Sequence, residues 1–324
     1  MADSPTGSAP ATLSVIIPTY LRPDWIRRAV LSLAAQTRRP DEVIAVARDT
    51  DLPTHQSIAA LAAQGLPFPL RCQLVAEPGF MPPVKVGVAA ATGDIIAVMD
   101  DDAEAETEWA ARLLSGYADP RAGAVGGRII NMDGDVPTPV TRTNRVGYVT
   151  AFGRFVGNMY RQPDFDRPVE VDFLMGGNMS FRREVARRLE FDFELNRNVA
   201  QCYEVDIGLQ VKRMGWKVVF DPLLGIRHYS APRQTVGMRP AADAEAVQWY
   251  SYNQARVALR RLPPMHRALA FSYLLVVGER RAPGLMPMLL APVARRAGFE
   301  MAAAPAALRG RVLAARGVWG GSHS

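Results

Sequence analysis

Cysteine is nearly absent: Cys72 and Cys202 are the only two in 324 residues, and neither sits in CxxC or Cys/His metal spacing. A disulfide-built fold and a cysteine-type zinc site are thereby excluded, and a reducing cytoplasm fits. Long hydrophobic runs are missing as well. The longest, Ala268 to Val277, stops at Gly278-Glu279-Arg280-Arg281, short of the roughly 18 to 20 residues that cross a bilayer. No Gly-x-Gly-x-x-Gly follows the first strand-like segment, no Gly-x4-Gly-Lys-Ser/Thr occurs, and there is no Gly-x-Ser-x-Gly elbow. Dinucleotide dehydrogenases, P-loop NTPases and α/β-hydrolases each lose their signature. Lysine is scarce too, with Lys85, Lys212 and Lys217 the only three.

What is present is an ordinary globular composition, 48% apolar and 22% charged, at a length that allows two domains or one large α/β domain with an appendage. The first 12 residues are rich in Ser, Pro and Ala with Asp3 as the single charge, and read as a loose tail rather than a secretory signal. The net charge of +6 is unevenly placed: residues 241–324 hold 11 Arg, no Lys and 4 acidic residues, while the first 240 are nearly balanced. Such a tail addresses anionic lipid, nucleic acid or an acidic partner, or is a solvated set of helices.

From Leu13 the pattern alternates. Strands are predicted at 13–17, 43–47, 71–76 and 94–99, with helices from Pro23 to the segment before Pro40 and near 54–64 and 83–91. That alternation predicts an α/β fold with a mostly parallel twisted sheet flanked by helices, whose functional residues follow the strand ends. A helix near 106–117 and a strand near 123–130 lead to an irregular stretch, 131–168, read as a cover facing an acceptor. Strands at 169–174 and 178–182, helices from Arg183 and at 203–214, and a strand from Trp216 to Phe220 stopped by Pro222 follow. Beyond 241 the pattern is helical with proline interruptions.

Asp100, Asp101 and Asp102 follow directly on the apolar run Ile95 to Met99. Three adjacent carboxylates repel unless something positive is present, and a hard divalent cation answers that need. The other reading is an acidic helix start, favoured by the helix dipole.

Ser14-Val15-Ile16-Ile17-Pro18-Thr19-Tyr20, Ser32 to Thr37 with Pro40-Asp41-Glu42-Val43-Ile44, and Ala91-Thr92-Gly93-Asp94 running on to Asp102 together resemble the opening of family 2 glycosyltransferases of the GT-A fold. Gly176-Gly177-Asn178-Met179-Ser180-Phe181-Arg182-Arg183 is similar to that family's acceptor-side strand. Glu204-Val205-Asp206-Ile207-Gly208-Leu209, with Gly215 and Trp216, resembles its acidic catalytic helix. The resemblance covers about 13–230. It implies a GT-A catalytic domain at 13–240, beside the tail at 1–12 and the Arg-rich helical extension at 241–324 that composition marks off.

The implied activity is inverting transfer of a sugar from a nucleotide diphospho-sugar, UDP or dTDP, to an acceptor hydroxyl in a glycan, a lipid-linked molecule or a small molecule. Implied metal residues are Asp102, Asp100 and His228, holding Mn2+ or Mg2+. Pro18, Thr19 and Tyr20 would line the nucleoside pocket, Asp49 and Asp51 would contact base or ribose, and Lys85, Asp100 and Asp101 would sit at the ribose–diphosphate end. Glu204 is the implied general base, a departure in which Tyr203 replaces the preceding acid; Asp206 would orient it or cap the helix. No Gln-x-x-Arg-Trp segment of processive synthases occurs, so single-sugar transfer is expected. A nucleotide-sugar-binding relative without turnover is the alternative. A nucleotidyltransferase would need a Gly-rich N-terminal loop, and nucleic-acid binding an aromatic platform; neither motif is found. The C-terminal arginines, among them Arg256, Arg260, Arg261, Arg267, Arg280, Arg281, Arg295 and Arg296, suit either peripheral contact with an anionic membrane or packing on the catalytic domain.

Overall fold

The computed structural model describes residues 11–196, 201–231 and 243–320. The first half runs β1 (Leu13–Thr19), α1 (Pro23–Ala34), β2 (Glu42–Arg48), α2 (Leu52–Ala62), β3 (Leu70–Val75), α3 (Met81–Ala90), β4 (Ile95–Met99), β5 (Ala103–Ala105), α4 (Trp109–Ser115) and β6 (Ala122–Asp133). Short strands follow: β7 (Val136–Pro137), β8 (Arg142–Thr143), β9 (Tyr148–Val149), β10 (Phe155–Val156), β11 (Gln162–Pro163) and β12 (Val169–Val171). Then come β13 (Asn178–Arg182), α5 (Arg183–Ala186), α6 (Tyr203–Arg213) and β14 (Lys217–His228). The C-terminal part holds α7 (Ala244–Arg261), α8 (Pro264–Val276), β15 (Gly278–Glu279), β16 (Ala282–Pro283), α9 (Leu285–Leu289), α10 (Ala291–Arg296) and α11 (Ala304–Trp319).

One sheet organises the chain, in the order β12-β14-β6-β13-β4-β1-β2-β3, with β5 on β14 and β7 on β6. β3, β2, β1 and β4 are parallel, while β13 enters antiparallel between β4 and β6. Strand alternation sorts the core into two layers. Leu13, Val15 and Ile17 face Ile26, Val30 and Leu33 of α1 and Trp109 and Leu113 of α4. Ile16, between them in sequence, joins Val84 and Val88 of α3 and Val205 and Val211 of α6. Burial on both faces is why these strands read as unbroken apolar runs.

Two expectations change. Pro222 does not stop the last strand: β14 continues to His228, and the register with β6 jumps between Asp221 and Gly225. A proline removes a ladder donor, and a bulge lets the strand absorb it and resume. The side chain of Asp221 holds the bulge, accepting from Leu223 N at 2.9 Å and pairing with Arg112 at 3.2 Å. The stretch 131–168 is not one hairpin but several short pairings, β6 with β7, β8 with β11 and β9 with β10, and it buries Val146 and Met159 in the layer that α6 shares.

The C-terminal arginines divide into a packed set and an exposed set. Arg256 and Arg260 of α7 pair with the buried Asp192, and Arg261 with Asp206 of α6. Arg280, Arg281, Arg295 and Arg296 point to solvent. α11 lies along α7 at very short range: a Cβ on Gly310 would come within 2.1 Å of the Gln248 carbonyl oxygen. No helix among the described residues is long and apolar enough to cross a membrane.

The starts of β1 and β2 are locked by Glu42. Its buried carboxylate accepts from Ser14 Oγ at 2.6 Å, Thr92 N at 2.7 Å and Thr92 Oγ1 at 2.8 Å, and pairs with Arg71. Burial works to raise its pKa, yet these bonds outweigh it and hold the carboxyl below its ordinary value. Glu42→Ala is expected to lower unfolding free energy by about 3 kcal/mol at pH 7. Because the folded-state pKa is depressed, the gap between wild type and variant is full above the ordinary glutamate pKa, near 4.5, and closes as pH falls below it. Urea unfolding of both proteins at pH 7 and in the acid range checks this.

Candidate functional site

β4 ends at the sheet's centre, and the three aspartates that follow it alternate in direction. Asp100, Asp102 and His228 gather on one side, with a ligand atom from each lying within 4.8 Å of the others. His228 Nε2 stands 3.3 Å from Asp102 Oδ1 and 3.9 Å from Asp100 Oδ2. The histidine arrives because β14 resumes after its bulge and pairs with β5, setting His228 opposite Ala103. Its Nδ1 lies 3.3 Å from both Asn131 Oδ1 and Ser230 Oγ, which orients Nε2 toward the carboxylates.

Asp101 turns the other way and is buried. Thr19 Oγ1 donates to its Oδ2 at 2.8 Å, and Arg22 Nη1 reaches its Oδ1 at 2.7 Å. The same nitrogen lies 3.1 Å from Asp102 Oδ2, and Arg22 Nη2 donates to the Ala231 carbonyl at 2.9 Å. Arg22 is the site residue that sequence reasoning missed. The need for a positive partner was legible in the aspartate run; a basic residue two positions past Tyr20, just beyond the adjacent strand end, was the available signal. The charge of the run is therefore met in part by the protein itself.

The electrostatics follow from burial and these partners. Burial, opposed by Arg22 and reinforced by Asp102, pushes Asp101 up to about 6. Burial also works to raise Asp102, but His228, Arg22 and the Ala231 N–H, at 2.9 Å, hold it below its ordinary value. For His228, burial disfavours the proton and is outweighed by the bond and charge of Asp102, with Asp100 behind it, so its pKa is raised.

α6 meets this cluster through two glycines. A Cβ on Gly177 would fall 2.4 Å from Asp100 Oδ2, and one on Gly176 would fall 1.7 Å from Tyr203 Oη. Tyr203 is buried against Phe80, with ring centroids 5.0 Å apart. Cys202, at φ 65°, turns the chain into α6, which leaves Glu204 half-buried in the first turn.

Asp206 faces elsewhere, since two residues along a helix rotate about 200°. Its carboxylate takes Arg261 at 2.7 and 3.1 Å and Gln210 at 2.7 Å. Burial raises its pKa and Arg261 opposes the rise. It anchors α6 to α7.

The nucleotide-side candidates also divide. Pro18 is buried in β1 opposite Val46, and Thr19 binds Asp101. Tyr20 is half-buried with the Arg48 guanidinium 5.5 Å from its ring centre. Asp49 is exposed after β2. Asp51 is fully buried and caps α2, accepting from Thr54 N and Leu21 N; both oxygens are committed to backbone, so it shapes the loop that carries Arg22. Lys85 is exposed on α3, its ammonium 5.3 Å from the Phe193 ring. A hollow of about 420 Å³ beside Arg145, Tyr148 and Lys212 shares no lining residue with the acidic cluster.

The Glycosyl transferase family 2 profile matches residues 14–190, more than half of the chain. The chain belongs to glycosyltransferase family 2. The O-antigen biosynthesis protein RfbC of Myxococcus xanthus is 27% identical over 74% of this chain and 19% of its own length. A glucosyl-dolichyl phosphate glucuronosyltransferase of Haloferax volcanii is 29% identical over 44% of this chain and 45% of its own length. This glycosyltransferase thus spans less than half the length of either curated relative. Among solved structures, the mannosyltransferase PcManGT from Pyrobaculum calidifontis, in complex with GDP-Man and Mn2+, aligns at TM-score 0.57 and 16% identity over 97% of this chain and 89% of that one. GalNAc-T7 with UDP, GalNAc and Mn2+ aligns at 0.58 and 15% identity over 90% of this chain and 58% of that one. S. aureus TarS 1–349 with UDP aligns at 0.55 and 16% identity over 82% and 71%. These likenesses establish the GT-A-type α/β fold.

Two substitutions test the site's geometry. Arg22→Met removes the cation between Asp101 and Asp102 and is expected to cost about 3–5 kcal/mol of stability in urea unfolding. Gly177→Ala displaces only the end of a flexible side chain, the Asp100 carboxylate, so the thermal midpoint should move little.

Proposed function

We propose that this family 2 enzyme is an inverting, metal-dependent glycosyltransferase that moves one sugar from a nucleotide diphospho-sugar to an acceptor hydroxyl. The observation that carries this reading is the convergence of Asp100, Asp102 and His228 within 4.8 Å, next to the glycine pair that links them to α6. The donor set fits a divalent cation: two carboxylates and one imidazole suit Mn2+ or Mg2+, and Asp102 spends Oδ2 on Arg22 and Ala231 N while Oδ1 faces the cluster. When bound there, the metal would neutralise the charge of the departing diphosphate.

The remaining work falls to the chain's own groups. Glu204 takes the proton of the acceptor hydroxyl as that oxygen bonds the anomeric carbon and the bond to the diphosphate oxygen breaks, which inverts the centre. Pro18, Thr19 and Tyr20 flank the nucleoside at the end of β1, and Asp49 is the exposed carboxylate available to base or ribose. Lys85 would reach the diphosphate only by leaving Phe193. Asp101, held by Arg22 and Thr19, fixes the turn on which Asp100 and Asp102 stand.

UDP or dTDP is the preferred donor nucleotide, supported by the UDP that TarS and GalNAc-T7 hold, and GDP is a necessary comparison because PcManGT holds GDP-Man. The RfbC likeness supports a cell-surface glycan or glycolipid acceptor. Residues 13–240 form the catalytic domain in this reading, with 131–168 toward the acceptor and 241–324 as the extension. Two unpaired cysteines support a reducing cytoplasmic setting. Tyr203 in place of an acid favours a second reading, donor binding without turnover.

Thermal melting with UDP, dTDP and GDP, each with and without Mn2+, separates these outcomes. One nucleotide is expected to raise the midpoint only with metal, and Asp102→Ala to abolish the shift. Glu204→Gln should retain the shift and lose about 10²- to 10⁴-fold in acceptor-dependent donor consumption. Binding with no donor consumption by wild type across an acceptor panel would establish the second reading, and no shift with any nucleotide would refute both.

A further inference from the structure

The C-terminal part carries an apolar surface that none of the other described residues covers. Between β16 and the end of α10, Leu285, Met286, Met288, Leu289, Leu290 and Val293 are all exposed, Leu289 by 84% and Val293 by 65%. The outward stripe of α8, which packs against α9, continues this character with Met265, 83% exposed, Leu269 and Val276. Trp319, 64% exposed, closes the far end of α11 against Phe271 of α8, with ring centroids 5.3 Å apart. Soluble surfaces scatter single exposed apolar residues, whereas a run of six marks an interaction site.

The charge around it selects the partner. Arg280 and Arg281 precede the apolar run and Arg295 and Arg296 follow it, all four exposed. From Pro264 to Gly320 the sequence has eight arginines, of which Arg311 is buried, against two glutamates. Glu279 is taken up inside by Tyr250 and Gln254, and Glu300 lies beside Arg281. A second copy of the chain would set two such arginine-rich faces against each other, which like-charge repulsion opposes. Nucleic acid would meet Leu, Met and Val where stacking platforms are needed. An anionic bilayer surface satisfies both features: the apolar run enters the acyl boundary while arginine stems lie along it and their guanidinium groups meet lipid phosphates.

We propose that α8, α9 and α10 dock this enzyme on an anionic membrane surface, with Leu285 to Val293 inserted and Arg280, Arg281, Arg295 and Arg296 on the headgroups. The inserted segment is not part of the donor site, so docking is independent of the catalytic reading. It is also mechanically joined to the catalytic helix, because α7, which carries α8 and α11, grips α6 through Arg261 and Asp206.

The test is co-sedimentation of the full chain with vesicles of equal phosphatidylglycerol and phosphatidylcholine, against pure phosphatidylcholine, at about 0.1 M and about 0.5 M salt. Wild type is expected to bind the anionic vesicles, to bind the neutral ones much more weakly, and to be released by high salt. Leu289→Asp with Val293→Asp should weaken binding at least about tenfold. Replacing Arg280, Arg281, Arg295 and Arg296 by Ser should do the same and flatten the salt dependence. All substituted positions are solvent-exposed, and an unchanged melting midpoint verifies each fold. Wild type remaining in the supernatant, equal binding by the aspartate variant, or equal binding to neutral vesicles would overturn the proposal. So would a dimer in sedimentation velocity that the aspartate variant splits, since the face would then belong to a second copy.

Discussion

Arg22 sets one guanidinium against two consecutive carboxylates, Asp101 and Asp102, and against the carbonyl of Ala231, so three segments distant in sequence meet at a single cation. Without it, the acidic run at the end of β4 would place a buried Asp101, held only by Thr19, beside an ionised Asp102 with no guanidinium between them. With it, the turn 100–102 is held from below, Asp102 keeps one oxygen toward the cluster, and the segment after β14 is drawn over the site. The loop that delivers Arg22 is shaped in turn by Asp51, whose oxygens hold Leu21 and the start of α2. Capping, ion pairing and sheet geometry are thus one connected arrangement.

That connection explains how much could be read from sequence. The strand and helix alternation from Leu13 to Met99 was legible because apolar runs buried in a parallel sheet leave a clear pattern. Asp100, Asp102 and His228 lie together, a grouping that the family resemblance had implied. Three things were not legible. The bulge at Pro222 to Leu224 depends on β6 accepting a shifted register, which no local pattern encodes. Asp51 and Asp206 look like ligand-side acids in one dimension, yet one caps a helix and the other meets Arg261, a partner 55 residues away. The arginines of 241–324 are alike in sequence, and only packing sorts those that hold α7 from those left outside.

Asp206 and Asp192 give the C-terminal helices a grip on α6 and the segment before it that apolar contact alone would not specify. Buried ion pairs add little net stability but penalise misplacement heavily, so α7 has one seating rather than several. Asn253, donating to the carbonyls of Leu195 and Gln201 at 3.0 and 3.1 Å, fixes the same seating from another direction.

Gly176 and Gly177 act as a ruler. A Cβ would meet the Asp100 carboxylate at one glycine and the Tyr203 hydroxyl at the other, so the acidic cluster and the first turn of α6 close on bare backbone from two sides. On the proposed reading, variation in acceptor reach within this scaffold must come from the length of the carboxylate arm mounted on the helix. A glutamate at position 204, one methylene longer than aspartate, is that kind of adjustment: the frame stays still and the tool changes length.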